Sequence, residues 1–203
     1  TLGVASIFAE THVKLDAEKN KCEVTQELVT GENLRNLFER KIPVYFNAEA
    51  KRQMSSLAVF DMLSGYYYRS SKEIFADYSV KRLEDKTSYI EIRGIKVLNN
   101  DKAFGPVYGP EDIEGEKQVF SSLKNLQYID KDFYDKIMAL SADSVAQSLN
   151  GSLFSSSCRE NMEKRLEYVK KTLRKKHDEL GEKLHTLPEH ASDIFTSSIN
   201  SSI

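Results

Sequence analysis

Histidines are the side chains in this sequence best suited to acid–base or metal chemistry, but their spacing does not indicate a site. Neither the pair His177 and His185 nor the pair His185 and His190 has the i, i+4 spacing that places two metal ligands on one helix face. His12 lies far from the others along the chain. We therefore expect solvated surface histidines.

The cysteines and the common enzyme motifs give no clearer chemistry. Cys22 and Cys158 lie far apart and form no CxxC pattern, so we expect two buried or incidental thiols instead of a zinc site or a disulfide framework. The sequence contains no GxSxG, GxGxxG, GxxxxGK[ST] or HExxH motif. The corresponding enzyme classes therefore lose most of their support.

Composition and charge favour a soluble globular protein. The 203 residues are 40% hydrophobic, which supplies enough apolar material for one sizeable core. The 29 Lys and Arg residues against 31 Asp and Glu residues give a net charge of -2, so no nucleic-acid partner is expected. No apolar run approaches the roughly 20 residues that cross a bilayer. The absence of an initiator Met suggests a piece of a longer polypeptide.

The elements that must position any site begin with strands and then helices. Apolar runs predict strands at Val4–Ala9 and Cys22–Val29, which we expect to pair antiparallel around a charged turn at Lys14–Lys21. Helical spacing of apolar residues predicts a compact helix over Glu32–Arg40 and a longer one over Ala48–Leu63. These elements predict an α+β fold.

The helix over Ala48–Leu63 is expected to pass through the core. Its apolar residues recur near one face, so Leu57 and Phe60 should point inward. The opposite face carries Lys51, Arg52 and Gln53. We expect the helix to be largely buried because an apolar face of this length is stable mainly through packing.

The rest of the chain changes from strands to helices. Aromatic and β-branched residues over Gly65–Asp101 predict short strands and loops, and Gly-Pro pairs predict an irregular loop over Asp101–Gly115. Asp130 is placed to cap a helix, and the last helix carries one apolar stripe over Met162–Leu184. After Pro188 the composition is typical of a linker or a frayed end.

A resemblance to kinases begins at Val24–Phe38, which reads VTQELVTGENLRNLF. This segment resembles the last strand of the kinase small lobe, the hinge and the first helix of the large lobe. In that family, backbone groups of the hinge hydrogen-bond the adenine. The resemblance therefore implies nucleotide-binding positions at Glu27, Leu28 and Val29, with Gly31 ending the hinge. The residues alone also permit an ordinary strand–turn–helix.

The segment Phe60–Phe75 is similar to the catalytic loop of the atypical kinase group that includes lipid kinases and several bacterial effector kinases. In that group a helix ending in Phe-Asp-x-Leu leads into Gly-Asn-x-Asp-Arg-His-x-x-Asn. Gly65 and Arg69 match, but Tyr68 stands at the catalytic aspartate and Glu73 at the metal-binding asparagine. A phenol, with a pKa near ~10, is a poor acceptor for a substrate hydroxyl proton at neutral pH.

The segment Gly94–Pro106 resembles the strand and metal-binding loop of the same group. There, an aspartate after the strand coordinates the Mg²⁺ that bridges the nucleotide phosphates. Asp101 holds that position, and Glu73 is the other candidate ligand because a carboxylate oxygen suits Mg²⁺. The cofactors implied are ATP and Mg²⁺. The residues alone also permit a plain turn at Asn100–Asp101.

The three segments occur in family order, which implies a mostly helical, kinase-like C-terminal lobe preceded by a remnant antiparallel strand pair. The expected division is residues 1–30 as the end of the small-lobe strands with the hinge, 31–187 as the helical large lobe, and 188–203 as a linker or flexible tail. The glycine-rich strands and the phosphate-orienting lysine would precede Thr1. The resemblance therefore implies the remainder of a longer polypeptide at the N-terminus.

The resemblance implies ATP-dependent phosphoryl transfer to a protein or lipid hydroxyl, or a pseudokinase, in a divergent effector secreted into a host cell. Tyr68 and Arg69 occupy the catalytic positions, and we expect the isolated chain to be catalytically silent. The alternative is a non-catalytic helical interaction module that uses the Met162–Leu184 helix and the Tyr66–Tyr68 cluster. An exposed apolar stripe on that helix would favour the module, whereas a polar cleft between the hinge strand and Asp101 would favour the kinase-like domain.

Overall fold

A computed structural model of the chain describes residues 7–16, 21–66, 69–84, 86–98, 123–148 and 156–189. Within these ranges the protein has the α+β architecture expected from the sequence. The strands are β1 (Thr11–Asp16), β2 (Lys21–Gln26), β3 (Glu32–Asn33), β4 (Val44–Phe46), β5 (Ile74–Arg82) and β6 (Ser88–Val97). The helices are α1 (Leu34–Glu39), α2 (Ala48–Ser64), α3 (Lys131–Ala139), α4 (Ala142–Ser148) and α5 (Ser156–Leu180), with 3₁₀ turns at Leu123–Asn125 and Gly181–His185.

The first two strands form the expected antiparallel pair, but the first one begins later than predicted. β1 pairs with β2 along its whole length. The prediction of the first strand at Val4–Ala9 with a turn at Lys14–Lys21 is therefore wrong for the described part of those segments. His12, Lys14 and Asp16 alternate along β1 with Val13 and Leu15, and this period of two is that of a strand. The charged residues therefore did not indicate a turn.

The chain turns at Gly31 as it leaves the hairpin and enters the main body. Its φ of 115° favours glycine. A Cβ at this position would lie 2.3 Å from the carbonyl oxygen of Ala76 on β5, so a larger residue would require the backbone to move. Just beyond, Asn33 caps α1 by accepting a hydrogen bond from the N–H of Asn36 at 3.0 Å. The helix predicted over Glu32–Arg40 is confirmed, although it begins only after β3.

α2 is the central helix, and it is buried on most of its faces. Asn47 caps its start, and Gly65, with a φ of 75°, ends it. The prediction that it is largely buried is confirmed, and Leu57 is completely buried. The predicted opposition of an apolar and a polar face is wrong, because Lys51 is buried and Phe60 only half-buried. Serines and alanines along the helix let β6 and α5 approach it closely.

The larger sheet has the strand order β3-β5-β6-β4, and α2 packs against it through β6. β5 and β6 pair antiparallel with a bulge between Asp77 and Tyr78, and β4 adds parallel to β6 at one edge. The predicted short strands of Gly65–Asp101 are therefore two long strands. Their continuity follows from alternation, which places residues such as Ile90 and Ile92 in the core.

The C-terminal helices follow the predicted pattern. The side chain of Asp130 accepts hydrogen bonds from the N–H groups of Asp132 and Phe133, as expected for the cap of α3. α5 packs against α2 and α3. Of its predicted apolar stripe, Met162, Leu166, Val169 and Leu173 are buried and Leu180 is half-buried. Leu184, which was predicted on the same helix, lies beyond its end in the 3₁₀ turn Gly181–His185.

After α5 the chain turns back over the body as a segment that we call the C-terminal strap, residues 181–189. Leu184 is completely buried, and its carbonyl accepts a hydrogen bond from the N–H of Ile129 at 2.9 Å. The strap ends at α2, where the Nζ of Lys51 donates to the carbonyl of Pro188 at 2.5 Å and to that of Glu189 at 2.8 Å. No helix in the described ranges is long and apolar enough to cross a membrane.

Candidate functional site

A buried ion pair joins the last turns of α2 to the loop that follows, residues 65–73. The Nη2 of Arg69 donates to Oδ1 of Asp61 at 2.8 Å, and the Nε of Arg69 lies 3.0 Å from Oδ2. The two side chains are 0% and 3% exposed. Paired guanidinium–carboxylate contacts fix orientation as well as distance, so α2 determines where Arg69 lies.

Burial dominates the electrostatics of this pair. Desolvation raises the pKa of Asp61 to about 6, while the charge and hydrogen bonds of Arg69 oppose the rise and the charge of Glu73 adds to it. Removing two ions from water costs several kcal/mol for each ion, which their attraction offsets only with good geometry. The pair is therefore better suited to fixing the loop than to adding net stability.

Glu73 closes loop 65–73 from its other end. Its Oε1 accepts a hydrogen bond from the hydroxyl of Tyr66 and its Oε2 accepts one from the N–H of Ser70, both at 2.9 Å. The Cζ of Arg69 lies 4.0 Å from the centroid of the Tyr66 ring, a cation–π contact. The guanidinium of Arg69 is thus held by a carboxylate and an aromatic face, and Glu73 has a structural role in the loop.

The same loop is tied to the end of β6. The Nη1 of Arg69 donates to the carbonyl of Leu98 at 3.0 Å, and the N–H of Leu98 donates to the carbonyl of Glu73 at 3.0 Å. The chain continues from Leu98 into residues 99–122, which include Asp101 and lie outside the described residues. The loop is therefore adjacent to the strand that leads to Asp101.

α5 contacts the start of the loop through the side chain of Arg165. The Nε of the buried Arg165 donates to the carbonyl of Leu63 at 3.0 Å, near the C-terminal end of α2. A Cβ at Gly65 would lie 2.7 Å from Nη1 of Arg165. Burial lowers the pKa of Arg165, while the charge of Cys158 has the opposite effect. Gly65 thus permits both the left-handed turn and the close approach of this guanidinium.

The predicted hinge, residues 27–31, is far more exposed than the loop. The side chain of Leu28 is 86% exposed, and Val29 is half-buried. The Oε2 of Glu27 accepts a hydrogen bond from the Nζ of Lys96 on β6 at 3.1 Å. Within the described part of the chain, no atom accepts a hydrogen bond from the N–H of Val29. This segment therefore lies beside β6, and its Val29 N–H is not engaged by any residue that the structure describes.

The end of β6 also contacts the segment that precedes the hairpin. Phe8 forms a parallel bridge with Val97, and the N–H of Ala9 donates to the carbonyl of Val97 at 3.2 Å. The ring of Phe8 lies 4.5 Å from that of Phe60 on α2. The base of the hairpin, the end of β6 and α2 therefore form one packed unit.

The predicted site residues have different outcomes. Arg69 and Glu73 belong to one network, whereas Tyr68 and Asp101 lie outside the described residues. The complete burial of Arg69 makes it a positioning residue in this conformation. In the part of the chain that the structure describes, no three His, Cys, Asp or Glu side chains are grouped so that they could hold a metal ion.

Sequence reasoning assigned no role to Asp61 or Arg165 and placed Tyr66 only in the interaction-module alternative, yet all three side chains contact the loop. The strongest available signal was Asp61, an acid inside the apolar run Ala-Val-Phe-Asp-Met-Leu of a helix predicted to be buried. A buried carboxylate needs a partner, and Arg69 is the next cation along the chain. Arg165 gave no such signal, because its contact is with a backbone carbonyl distant in sequence.

The expectation of solvated histidines is wrong for two of them. His177 and His185 are half-buried, and their rings lie 5.4 Å apart between centroids. The test for helical spacing missed them because the chain reverses direction after α5, which ends at Leu180. His12 does conform to the expectation, since its side chain is 72% exposed.

Comparisons with known proteins give no relative from which a role could be transferred. No family model matches the chain, and no curated protein matches it at a significant level. The assignment of function therefore depends on the residues and their geometry.

Proposed function

We propose that this chain is a kinase-like domain of the atypical group, comprising the hinge and the C-terminal lobe, and that it binds ATP with Mg²⁺. The adenine lies against the backbone of Glu27 and Val29, and Gly31 ends the hinge. Asp101 holds Mg²⁺, with Glu73 as the second carboxylate ligand. When the domain is joined to a small lobe, the phosphoryl acceptor is a hydroxyl of a protein or lipid.

The link between loop 65–73 and the end of β6 carries this proposal. A kinase-like site requires the loop after the central helix to lie beside the strand that ends in the metal-binding aspartate. Here Arg69 contacts Asp61 on α2 and Leu98 after β6 at the same time. These groups are distant in sequence, and an ordinary strand–loop pattern would not require one side chain to join them.

The hinge supports the proposal through its backbone. Adenine recognition needs a carbonyl acceptor and an N–H donor on an extended segment that is not already paired. The N–H of Val29 makes no hydrogen bond within the described ranges. The contact of Glu27 with Lys96 holds this segment beside β6, the strand that leads to Asp101.

The chemistry of the loop favours nucleotide binding over efficient transfer. Tyr68 replaces the carboxylate that would orient or receive the proton of the acceptor hydroxyl, and a neutral phenol does this poorly at neutral pH. Arg69 is buried and acts by positioning the loop. Positioning and charge stabilisation supply most of the acceleration in phosphoryl transfer, so the isolated chain is expected to be silent.

The interaction-module alternative receives less support. An exposed apolar stripe on the last helix would have favoured the module. The apolar stripe on α5 is instead buried against the rest of the protein. Tyr66 is also buried and is engaged with Arg69 and Glu73. These two features are part of the domain's own packing.

Calorimetric titration with Mg·ATP tests the proposal. The wild type should bind with a stoichiometry of one, because there is one hinge and one metal-binding aspartate. Asp101→Ala should weaken binding by about ten-fold or more, equivalent to about 1.4 kcal/mol. The loss should be smaller when ATP is added with a chelator, since the variant removes a metal ligand.

The matched control is Asp143→Ala. This aspartate is exposed on α4, where it is ion-paired with Arg159 of α5, and it belongs to neither the loop nor the hinge. The control should bind Mg·ATP as the wild type does. Equal binding by all three proteins would remove Asp101 from the site, and no binding by any of them would remove the nucleotide site altogether.

A further inference from the structure

Three aromatic rings meet where the C-terminal strap crosses α3 and α5. The centroid of the His185 ring lies 5.4 Å from that of His177 and 5.1 Å from that of Tyr134, and the Tyr134 and His177 centroids are 5.7 Å apart. His177 belongs to α5, Tyr134 to α3 and His185 to the strap. The cluster therefore joins three separate elements.

The hydrogen bond of His185 determines which of its nitrogens is available. Its Nδ1 lies 3.1 Å from the carbonyl oxygen of Ile129. A carbonyl only accepts, so Nδ1 carries the proton and the neutral ring leaves Nε2 as a bare lone pair. Nε2 is buried and has no hydrogen-bond partner in the described part of the chain. This is a costly state for a nitrogen with strong acceptor capacity.

An imidazole held at one nitrogen by a backbone carbonyl, with the other nitrogen bare, has the arrangement of a metal-ligating histidine. The second imidazole lies at a compatible distance. With nitrogen–metal bonds of about 2.0–2.1 Å and a tetrahedral angle, two ligating rings have centroids about 5 Å apart. The observed separation of 5.4 Å is close to that value.

We propose that His177 and His185 form a binding site for a divalent transition metal of the Zn²⁺ class, which clips the C-terminal strap to α5. Imidazole nitrogens suit zinc, copper and nickel better than Mg²⁺ or Ca²⁺. Two histidines are fewer ligands than a closed structural site has, so water completes the coordination. The cluster shares no residue with the proposed nucleotide site.

The charges around the cluster include both signs. The Nζ of Lys131 lies 5.8 Å from the centroid of the Tyr134 ring and donates a hydrogen bond to Asp135. Arg174 on α5 is a second cation whose charge is felt by Tyr134. Burial raises the pKa of Tyr134, with Asp135 and Asp178 adding to the rise and Arg174 and Lys131 opposing it. The hydrogen bond with Asp135 raises the pKa of Lys131, and the charge of Glu182 on the strap adds to this rise. The carboxylates balance the cations, so a bound divalent ion is not isolated among like charges.

Zinc binding by the full chain tests the site. The protein is prepared without a polyhistidine tag, treated with chelator and titrated with Zn²⁺ by calorimetry, with Mg²⁺ as a second probe. The wild type should bind one equivalent of Zn²⁺ and no Mg²⁺ at the cluster. His185→Gln and His177→Gln should each weaken zinc binding by about ten-fold or more. Glutamine at 185 retains a donor for the carbonyl of Ile129.

The matched control is His12→Gln, because His12 is an exposed histidine on β1. It should bind zinc as the wild type does. A second readout is tryptic cleavage after Lys183 in the strap, which Zn²⁺ should slow in the wild type, with cleavage after the exposed Lys72 as an internal reference. Absence of zinc binding, binding that survives in both cluster variants, or unchanged cleavage at Lys183 with zinc bound would overturn the proposal.

Discussion

Loop 65–73 and the hinge segment 27–31 both lie beside β6, but they are built in opposite ways. The buried Asp61–Arg69 pair ties the loop to α2, and Glu73 accepts hydrogen bonds from Tyr66 and Ser70 within the loop. In the hinge, Leu28 is almost fully exposed, and the N–H of Val29 has no acceptor among the residues that the structure describes. The loop is therefore organised by its own side chains, whereas the hinge leaves its backbone open to an external partner.

Under the proposed function, the loop sets the geometry of the site and the hinge binds the ligand. Buried polar networks fix position because every alternative arrangement leaves a charge or donor unsatisfied. Exposed extended segments offer hydrogen-bonding groups without first having to break internal bonds. We therefore expect changes in the loop network to alter stability and changes in the hinge to alter ligand binding.

The largest expected effect on stability is that of Arg69→Met. The substitution leaves the carboxylate of Asp61 buried without its cation, so the free energy of unfolding should fall by about 3–5 kcal/mol in urea denaturation. The double variant Asp61→Leu/Arg69→Met should recover most of this loss, because it removes both buried charges.

The surface pair Asp77–Arg93 provides the control for that measurement. Its side chains are 66% and 51% exposed, and Arg93→Met should cost no more than about 1 kcal/mol. Equal costs for Arg69→Met and Arg93→Met would show that burial of the loop pair has no energetic consequence and would contradict the role assigned to it.

Gly31→Ala should come next, because Gly31 is where the hinge packs closely against β5. The φ of 115° costs about 1–3 kcal/mol for a residue with a Cβ, and the Cβ would also meet the carbonyl of Ala76. Gly181→Ala is the matched control, since its φ is 57° and no atom lies within 4 Å of its Cβ position. Thermal denaturation should show the larger loss for Gly31→Ala, and the opposite order would mean that the hinge is not clamped against β5.

A smaller effect is expected from the titration of Asp61. Because burial raises its pKa to about 6 from the ordinary 3.8, the folded chain holds a proton that the unfolded chain releases between those pH values. Asp61 therefore contributes stability at low pH that is lost as pH rises through about 6. From about pH 7.5 to about pH 5 the wild type should gain about 1 kcal/mol relative to Asp61→Asn in urea denaturation. A relative loss over this range would contradict the direction of the shift.

Much of the fold could be predicted from sequence because local signals determined it. The caps at Asn33 and Asp130 and the apolar stripe of α5 act within a few residues of the elements that they define. The burial of Lys51 could not be predicted, because its partners are carbonyls of the strap at the other end of the chain. Long-range backbone acceptors leave no pattern in the sequence.

The candidate site was predictable to a lesser degree. Motif spacing identified Arg69 and Glu73 as candidate site residues, and the fold places both in one network. The burial of Arg69 and the closing role of Glu73 depend on α2 and Tyr66, which the motif does not specify. The cluster of His177 and His185 was missed because a reversal of the chain, and not helical spacing, brings the two rings together.

Hydrogen exchange at the hinge tests the central claim most directly. The chain is measured alone and with a non-hydrolysable Mg·ATP analogue, and amide exchange is followed by NMR or mass spectrometry. The kinase-like domain predicts that nucleotide slows exchange at Val29, whose N–H is otherwise unpaired in the described part of the chain, while the amides of β1 and β2 change little. Saturating nucleotide without protection at residues 27–31 would contradict the proposed hinge and, with it, the kinase-like function.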